Sequence, residues 1–209
     1  TGFRKRVVYL DSACSALKSR EVARVVADFY ARYGACGGKR STHLMSQEVE
    51  DSVRASRAAV ARWLNAESPN EVVFTSGTTE GVNLVARGFP HEEGRDEVVV
   101  TALEHNSVFL PFYQLAREGR VKLKVCPVSE GLPDLDALER LVSPKTALVA
   151  MARSSNVFGG EAPVAVVARL ARRHGAKLLL DDAQYLSSHR EDVQESQADF
   201  VAFSAHKLG

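Results

Sequence analysis

The sequence predicts an α/β fold of three layers, in which a mainly parallel β-sheet lies between two layers of helices. From residue 71 onward, short apolar runs rich in valine and leucine alternate with segments of helical periodicity. Strands that are apolar along their whole length are typical of parallel sheets that helices cover on both faces. The composition fits a folded domain, because 45% of the residues are hydrophobic and 25% are charged.

Two amphipathic helices are predicted ahead of this alternating region. Apolar residues recur at helical spacing from about Arg20 to Tyr33, and Gly34 ends the segment. A second apolar stripe predicts a helix from about residue 47 to residue 64, and Ser46 is placed to cap its first turn.

The alternating region divides into strands and helices in a regular order. The predicted strands are 71–76, 96–102, 121–128, 146–152, 177–183 and 200–205. The predicted helices are 77–88, 107–119, 134–142 and 163–175. Ligands of such sheets bind beyond the carboxyl ends of the strands. The polar residues that follow the strands are therefore the candidates for a functional site.

Charge and cysteine content exclude several classes of protein. Lysine and arginine number 27 and aspartate and glutamate 26, so the balance predicts no binding to nucleic acid or to an anionic membrane. No apolar run approaches the roughly 20 residues that a membrane-spanning helix needs, and no apolar stretch follows the basic N-terminus as in a signal peptide. The three cysteines, Cys14, Cys36 and Cys126, form no disulfide framework, which predicts a reducing, cytoplasmic location.

A glycine turn follows the first predicted strand, in the sequence Ser76-Gly77-Thr78-Thr79-Glu80-Gly81. Backbone N–H groups and hydroxyls at the start of a helix suit an anionic phosphate. Threonine also caps helices that bind nothing, and for this motif alone a simple cap is the slightly better interpretation. The motif is neither G-x-G-x-x-G nor a Walker loop.

Polar residues with distinct chemistry mark the other strand ends. His105 follows the second strand, Asn156 follows the fourth, and Asp181 lies near the end of the fifth. Lys207 follows the last strand. Taken singly, each is better explained as a surface group or a local hydrogen bond. Together they supply a phosphate cup, a ring-stacking histidine, an acid for a pyridinium nitrogen and a Schiff-base lysine, which is the set of groups of a pyridoxal phosphate site.

The chain resembles the class V aminotransferase family of fold-type-I pyridoxal phosphate enzymes, and within it the cysteine desulfurases and selenocysteine lyases. The order and spacing of the motifs agree with that family along almost the whole chain. The motifs are YLDSACSALK (9–18), GGKRSTHLMS (37–46), EVVFTSGTTEGVNLVA (71–86), EHNS (104–107), SSNVFGGEAPV (154–164), LLLDDAQ (178–184) and DFVAFSAHKLG (199–209).

The resemblance implies a role for each candidate residue. The catalytic residues would be Lys207, which forms the Schiff base with pyridoxal 5'-phosphate, and His105, which stacks on the ring and carries protons. Asp181 would keep the pyridine nitrogen protonated. Asn156 and Gln184 would form hydrogen bonds near the phenolic oxygen of the ring. The phosphate cup would be formed by Thr78, Thr79, Ser204 and His206. No metal is implied.

The resemblance also implies an activity. A histidine at position 105 favours a desulfurase, which converts L-cysteine to L-alanine and enzyme-bound sulfur, over aminotransferases with an aromatic residue there. The alternatives are a selenocysteine lyase, another class V aminotransferase or epimerase-like enzyme, and a truncated copy without catalytic activity. The implied partners are a small amino-acid substrate, a second copy in a homodimer and a sulfur-acceptor protein.

The family pattern extends beyond this chain. We expect residues 1–209 to hold the N-terminal segment and most of the large cofactor-binding domain, without the small C-terminal domain. The substrate-binding arginine and the persulfide-forming cysteine of the family would lie downstream. Cys126 falls inside a strand pattern, so we expect it to be buried. Two departures are unexplained, namely Asp182, where relatives carry a small residue, and Arg153, where relatives carry another residue.

A hydrolase is a competing interpretation. Residues 15–18 and residues 204–207 both spell S-x-x-K, the motif of acyl-serine enzymes related to penicillin-binding proteins. The companion motifs S-D-N and K-T-G do not occur in the sequence. Short patterns with two free positions arise easily by chance, so this interpretation has little support.

Overall fold

A parallel β-sheet forms the centre of the molecule in a computed structural model, which describes residues 8–38, 41–90 and 94–209. The strands are β1 (Glu97–Thr101), β2 (Lys122–Cys126), β3 (Val128–Ser129), β4 (Leu132–Pro133), β5 (Thr146–Ala152), β6 (Lys177–Asp181) and β7 (Phe200–Ala202). The main sheet has five strands in the order β2-β1-β5-β6-β7, and each neighbouring pair is parallel. A short antiparallel hairpin pairs β3 with β4.

Helices cover both faces of this sheet. The α-helices of the described ranges are α1 (Arg20–Arg32), α2 (Leu44–Trp63), α3 (Thr78–Gly88), α4 (Asn106–Arg117), α5 (Leu135–Leu141), α6 (Val164–Arg173) and α7 (Val193–Ser196). Helices α3 and α4 pack on one face of the sheet, and α5 and α6 pack on the other. Short 3-10 turns occupy Pro69–Glu71, Tyr185–Ser187 and Ala205–Lys207. Within the described ranges, no helix is both long and apolar enough to cross a membrane.

Two separate apolar cores confirm the predicted three layers. Successive side chains of a strand point to opposite faces. Val99 of β1 therefore packs in one core with α5 and α6, whereas Val98 and Val100 pack in the other core with α3 and α4. Every residue of β1 is buried, as expected for a strand covered on both sides. Cys126 is fully buried in the first core, as predicted.

The predicted strand 71–76 is wrong. Its first residue ends a 3-10 turn that Ser68 and Glu71 close with a capping box, and residues 72–76 pair with no strand among the described residues. Val73 and Phe74 are 68% and 51% exposed. An apolar run becomes a strand only where a neighbouring strand satisfies its N–H and C=O groups, and no described strand lies alongside this segment.

Other boundaries differ from the predictions at points of local chemistry. Helix α2 begins at Leu44, because Nδ1 of His43 accepts the N–H of Ser46 and caps the helix. Ser46, the predicted cap, is buried, and its hydroxyl donates to the carbonyl of Cys36 over 2.7 Å. The last strand ends at Ala202 because the chain turns into the 3-10 segment. The β3–β4 hairpin and α7 were not predicted, because both are too short to show periodicity.

Candidate active site

The carboxyl ends of the parallel strands bring the candidate residues to one edge of the sheet. Ala152 at the end of β5 pairs with Asp181 at the end of β6, and Asp181 pairs with Ala202 at the end of β7. His105 follows β1 in the same sheet, and Lys207 follows β7. Residues that are about 100 positions apart in the sequence therefore share one edge, as the strand order requires.

Asp181 is the central buried group of this edge. Its side chain is 5% exposed, and one carboxylate oxygen accepts the N–H of Ala183 over 2.9 Å. Burial raises the pKa of Asp181, while the Ala183 hydrogen bond and the positive charges of His105 and Lys207 act in the opposite direction. The two predicted catalytic residues therefore both act on the carboxyl group of Asp181.

His105 has one ring nitrogen engaged and its ring exposed. It caps α4, because its Nδ1 accepts the N–H of Ser107 over 3.1 Å and lies 2.7 Å from the Ser107 hydroxyl. This is the local hydrogen bond that the simpler interpretation of the histidine predicted. Because Nδ1 is used for the cap, Nε2 is the nitrogen that can face a ligand.

The N-terminus of α3 meets a hydroxyl from the far end of the chain. Gly77 has a φ of 146°, and a Cβ there would lie 3.2 Å from Oγ of Ser204. Ser204 Oγ accepts the N–H of Thr78 over 3.0 Å and shares a hydrogen bond with the Thr78 hydroxyl over 2.7 Å. Thr78 and Ser204 are buried, whereas Thr79 and His206 are exposed. This end of an 11-residue helix carries the positive pole of the helix dipole, which suits an anion.

The N-terminal segment is tied to the turn that contains Lys207. The carbonyl of His206 accepts hydrogen bonds from the N–H of Ala16 over 3.2 Å and from Lys18 Nζ over 2.6 Å. Gln184 Nε2 donates to the carbonyl of Ala13 over 2.9 Å. Lys18 was not predicted as part of the site. Its contact joins residues that are 188 positions apart, and no local pattern signals such a contact.

The same lysine argues against the hydrolase interpretation. Lys18 Nζ lies 3.1 Å from Ser15 Oγ, and it also donates to the carbonyls of Ala16 and His206 over 2.6 Å each. Three acceptors occupy the three protons of an ammonium group, which cannot then accept a proton from the serine. At the second motif, the Ser204 hydroxyl is bonded to Thr78. Neither S-x-x-K pair therefore has a serine paired with a lysine base.

Glu104 is a second buried carboxyl group that sequence reasoning did not identify. Its two oxygens accept the Thr101 hydroxyl over 2.6 Å and the N–H of Ala152 over 2.8 Å, which ties the end of β1 to the end of β5. Burial raises the pKa of Glu104 to about 8. The negative charge of Asp181 also raises this pKa, whereas the hydrogen bonds from Thr101 and Ala152 lower it. The sequence alone presents Glu104 only as the neighbour of His105.

Asn156 and Gln184 stay as predictions for the phenolic oxygen of a ring. Asn156 is exposed in the turn that follows β5, and Gln184 is half-buried beside the 3-10 turn after β6. One N–H of the Gln184 amide is already used on the carbonyl of Ala13, so its second N–H and its oxygen are left for another partner.

These groups define an α/β protein with a candidate site at the carboxyl edge of its sheet. At this edge lie a helix N-terminus that suits an anion, a buried carboxyl group, an exposed imidazole and a lysine. The chain belongs to a known family with this architecture, because the sequence profile of the family "Aminotransferase class-V" matches residues 8–209.

Several relatives of the chain are cysteine desulfurases. One from Klebsiella pneumoniae is 41% identical over 205 residues, which are 97% of this chain and 50% of that protein. The crystal structure of cysteine desulfurase CsdA from Escherichia coli, in an S-sulfonic acid form, covers 96% of this chain and 51% of its own, with 34% identity and a TM-score of 0.83. The apo cysteine desulfurase of Thermococcus onnurineus NA1 covers 96% and 50%, with 32% identity and a TM-score of 0.86. The chain spans about half the length of the curated relatives it matches.

Proposed function

We propose that the protein is a pyridoxal phosphate-dependent cysteine desulfurase, which converts L-cysteine to L-alanine and leaves sulfur on the enzyme. One observation carries the proposal: buried Asp181 ends β6 at the sheet edge where His105 follows β1 and Lys207 follows β7. A carboxylate, an amine and an imidazole beside an anion-binding helix N-terminus match the four chemical requirements of this cofactor. The similarity to cysteine desulfurases over 97% of the chain supports the same activity.

The residues of the sheet edge would hold the cofactor by charge and shape. Lys207 would bind its aldehyde carbon, and Asp181 would pair with the pyridine nitrogen. His105 would stack on the ring through its exposed face. Asn156 and Gln184 would face the phenolic oxygen. The phosphate would be bound by Thr78, Thr79, Ser204 and His206. When bound, the cofactor supplies an electron sink for breaking bonds at the α-carbon of an amino acid.

The surroundings of Asp181 explain why it suits a protonated nitrogen. Burial alone would favour the neutral acid, whereas His105 and Lys207 favour the carboxylate. A pyridinium nitrogen would add a third positive charge and favour the carboxylate further. His105 would move protons through Nε2, because Nδ1 is held by the α4 cap. Lys207, in a turn fixed to the N-terminal segment, would exchange protons with the α-carbon.

The proposed partners are an amino-acid substrate, a second copy of the protein and a sulfur-acceptor protein. Helix α1 supports the homodimer, because it has no buried residue and its apolar side chains are exposed. These side chains are Val22, Val25, Val26, Phe29 and Tyr30. Cys14 and Cys36 are exposed free thiols, which supports a reducing, cytoplasmic location. The substrate-binding arginine and the persulfide-forming cysteine of the family would lie in the half of the relatives that this chain does not match.

Covalent labelling tests the proposal directly. The full-length protein is incubated with pyridoxal phosphate, reduced with borohydride, digested and analysed by mass spectrometry. We expect the pyridoxyl group on Lys207, and we expect L-alanine and sulfide from L-cysteine in the presence of a thiol. Lys177, a surface lysine paired with Asp199, serves as the matched control for non-specific labelling. Labelling of another lysine, or bound cofactor without alanine formation, would contradict the proposal.

A further inference from the structure

A cluster of charged side chains lies next to Asp181, at the end of β6, and takes no part in the proposed chemistry. It consists of Arg153, Asp182 and Glu191, and we call it the carboxyl cluster. Asp182 and Glu191 are fully buried, and the Arg153 side chain is 14% exposed. The backbone N–H of Arg153 donates to the carbonyl of Asp181 over 3.1 Å. The cluster is therefore attached to the end of β6, where Asp181 lies.

Arg153 provides one positive charge to several partners. Its guanidinium donates to the carboxylate of Glu191, to the hydroxyl of Tyr185 over 2.9 Å and, more weakly, to Glu161 over 3.4 Å. The guanidinium carbon lies 3.6 Å from the centre of the Tyr185 ring, which stacks on His189. Glu161 is half exposed, so the buried partner that balances the charge of Arg153 is Glu191.

Asp182 has no such partner. Neither of its carboxyl oxygens has a hydrogen-bond partner among the described residues, and the same holds for one oxygen of Glu191. A buried carboxylate without donors is strongly unfavourable. The charge and the side chain of Glu191 both raise the pKa of Asp182, and two ionised carboxylates offer no hydrogen for a bond between them. A single proton on Asp182, donated to the free oxygen of Glu191, would satisfy both side chains.

The electrostatics agree with this geometry. Burial raises the pKa of Asp182 well above its ordinary value, and the negative charges of Glu191 and Asp181 raise it further. Arg153 acts in the opposite direction; its Nη1 is paired with Glu191, and its buried Nε has no hydrogen-bond partner among the described residues. The other titratable groups that face Arg153 or its partners are Tyr185, Glu161 and His189.

We propose that Asp182 is a neutral carboxylic acid that donates a hydrogen bond to Glu191, and that the carboxyl cluster positions the end of β6. Asp181 is then the only ionised carboxylate of the Asp181-Asp182 pair. The consequence for the cofactor, which rests on the proposed function, is that no second negative charge competes with Asp181 for the pyridine nitrogen. Asp182, Glu191 and Arg153 are positioning residues, since they act through Asp181.

The test is Asp182→Asn, because asparagine keeps the shape of a protonated aspartate and can still donate to Glu191. An acid whose pKa is raised by folding makes the folded state less stable as pH rises from the ordinary pKa to the raised one. Asparagine has no such dependence. We therefore expect the melting temperature of the variant, relative to the parent, to increase by about 3 °C or more between pH 5 and pH 8.

Two further variants control for trivial effects. Glu161→Gln removes the exposed partner of Arg153 and should leave the melting temperature nearly unchanged at every pH. Glu191→Gln leaves the guanidinium of Arg153 without its buried partner and should lower the melting temperature at every pH. The proposal is overturned if the melting temperature of Asp182→Asn, relative to the parent, stays constant or falls as pH rises. That result is expected if Asp182 is ionised, because the substitution then removes its attraction to Arg153.

A second measurement applies if Asp182→Asn does not fold. In protein labelled with 13C at the aspartate carboxyl groups, an infrared band of a protonated acid should be present at neutral pH. The band should persist in Asp181→Asn, and its absence there would overturn the proposal.

The full-length parent and Asp182→Asn are also titrated with pyridoxal phosphate, and we expect affinities within twofold. A tenfold loss in the variant would contradict a neutral Asp182. A parent that binds no cofactor would refute the proposed function, while the melting curves would still decide the state of Asp182.

Discussion

The buried carboxyl group of Glu104 makes the stability of the protein depend on pH, and Glu104→Gln measures that dependence. Glu104 bridges β1 and β5 through the Thr101 hydroxyl and the N–H of Ala152. Glutamine has nearly the same size, can accept the Ala152 N–H and can donate to Thr101. The substitution therefore removes the titration of residue 104 while it preserves both contacts.

The pKa of Glu104 gives the expected magnitude. A value of about 8 against an ordinary 4.5 corresponds to roughly 5 kcal/mol of stability lost once the pH exceeds 8, at about 1.4 kcal/mol per pKa unit. The sign follows because the unfolded chain releases this proton at lower pH than the folded chain does. Protein and solvent rearrange around a buried charge, so we expect Glu104→Gln to be more stable than the parent by about 2–4 kcal/mol at pH 9.

Urea unfolding of both full-length proteins at pH 5 and pH 9 measures the difference. We expect near equality at pH 5 and a clear gain for Glu104→Gln at pH 9. Glu97→Gln is the matched control of opposite sign. Burial of Glu97 is outweighed by hydrogen bonds from Lys124 and Ser143, so its pKa is lowered and its loss should destabilise equally at both pH values. If Glu104→Gln destabilises by the same amount at pH 5 and pH 9, the reasoning is refuted.

Further predictions concern the site. Asp181→Asn should keep the fold, bind pyridoxal phosphate weakly and slow alanine formation by orders of magnitude, which absorbance titration and turnover assays would show. Ser204→Ala should weaken binding of pyridoxal phosphate about tenfold, since it removes the hydroxyl that orders Thr78 and takes away about 1 kcal/mol of capping. Lys18→Met should speed hydrogen exchange of residues 205–209, because the carbonyl of His206 loses its shortest hydrogen bond. Unchanged exchange would show that the bond from Lys18 does not hold this turn in place.

Sequence reasoning located the secondary structure wherever burial alone decides it. Strand β5 and helix α6 carry apolar runs or stripes that match one period, and their predicted bounds agree with the structure within about two residues. The prediction failed for 71–76, because pairing depends on a neighbour that an apolar run does not reveal. It also placed the cap of α2 on Ser46 instead of His43, since histidine is an uncommon cap.

The site was predictable to the extent that chemistry follows the strand ends. His105, Asp181 and Lys207 were chosen because each lies next to an apolar run, and the parallel arrangement of the strands brings them to one edge of the sheet. The partners of Arg153 were not predictable. Arg153 and Glu191 are 38 positions apart and lie outside the main periodic segments, so only the folded chain reveals their ion pair.

The charge state of the sheet edge follows from which carboxyl group faces the cations. Burial raises the pKa of three carboxyl groups at this edge, those of Glu104, Asp181 and Asp182. Three neighbouring negative charges would also repel one another. Of the three, Asp181 is the one on which both His105 and Lys207 act. Glu104 instead has neutral donors, and Asp182 faces Glu191. Asp181 is therefore the one of these three carboxyl groups whose ionisation His105 and Lys207 favour, in keeping with its proposed pairing with a protonated ring nitrogen.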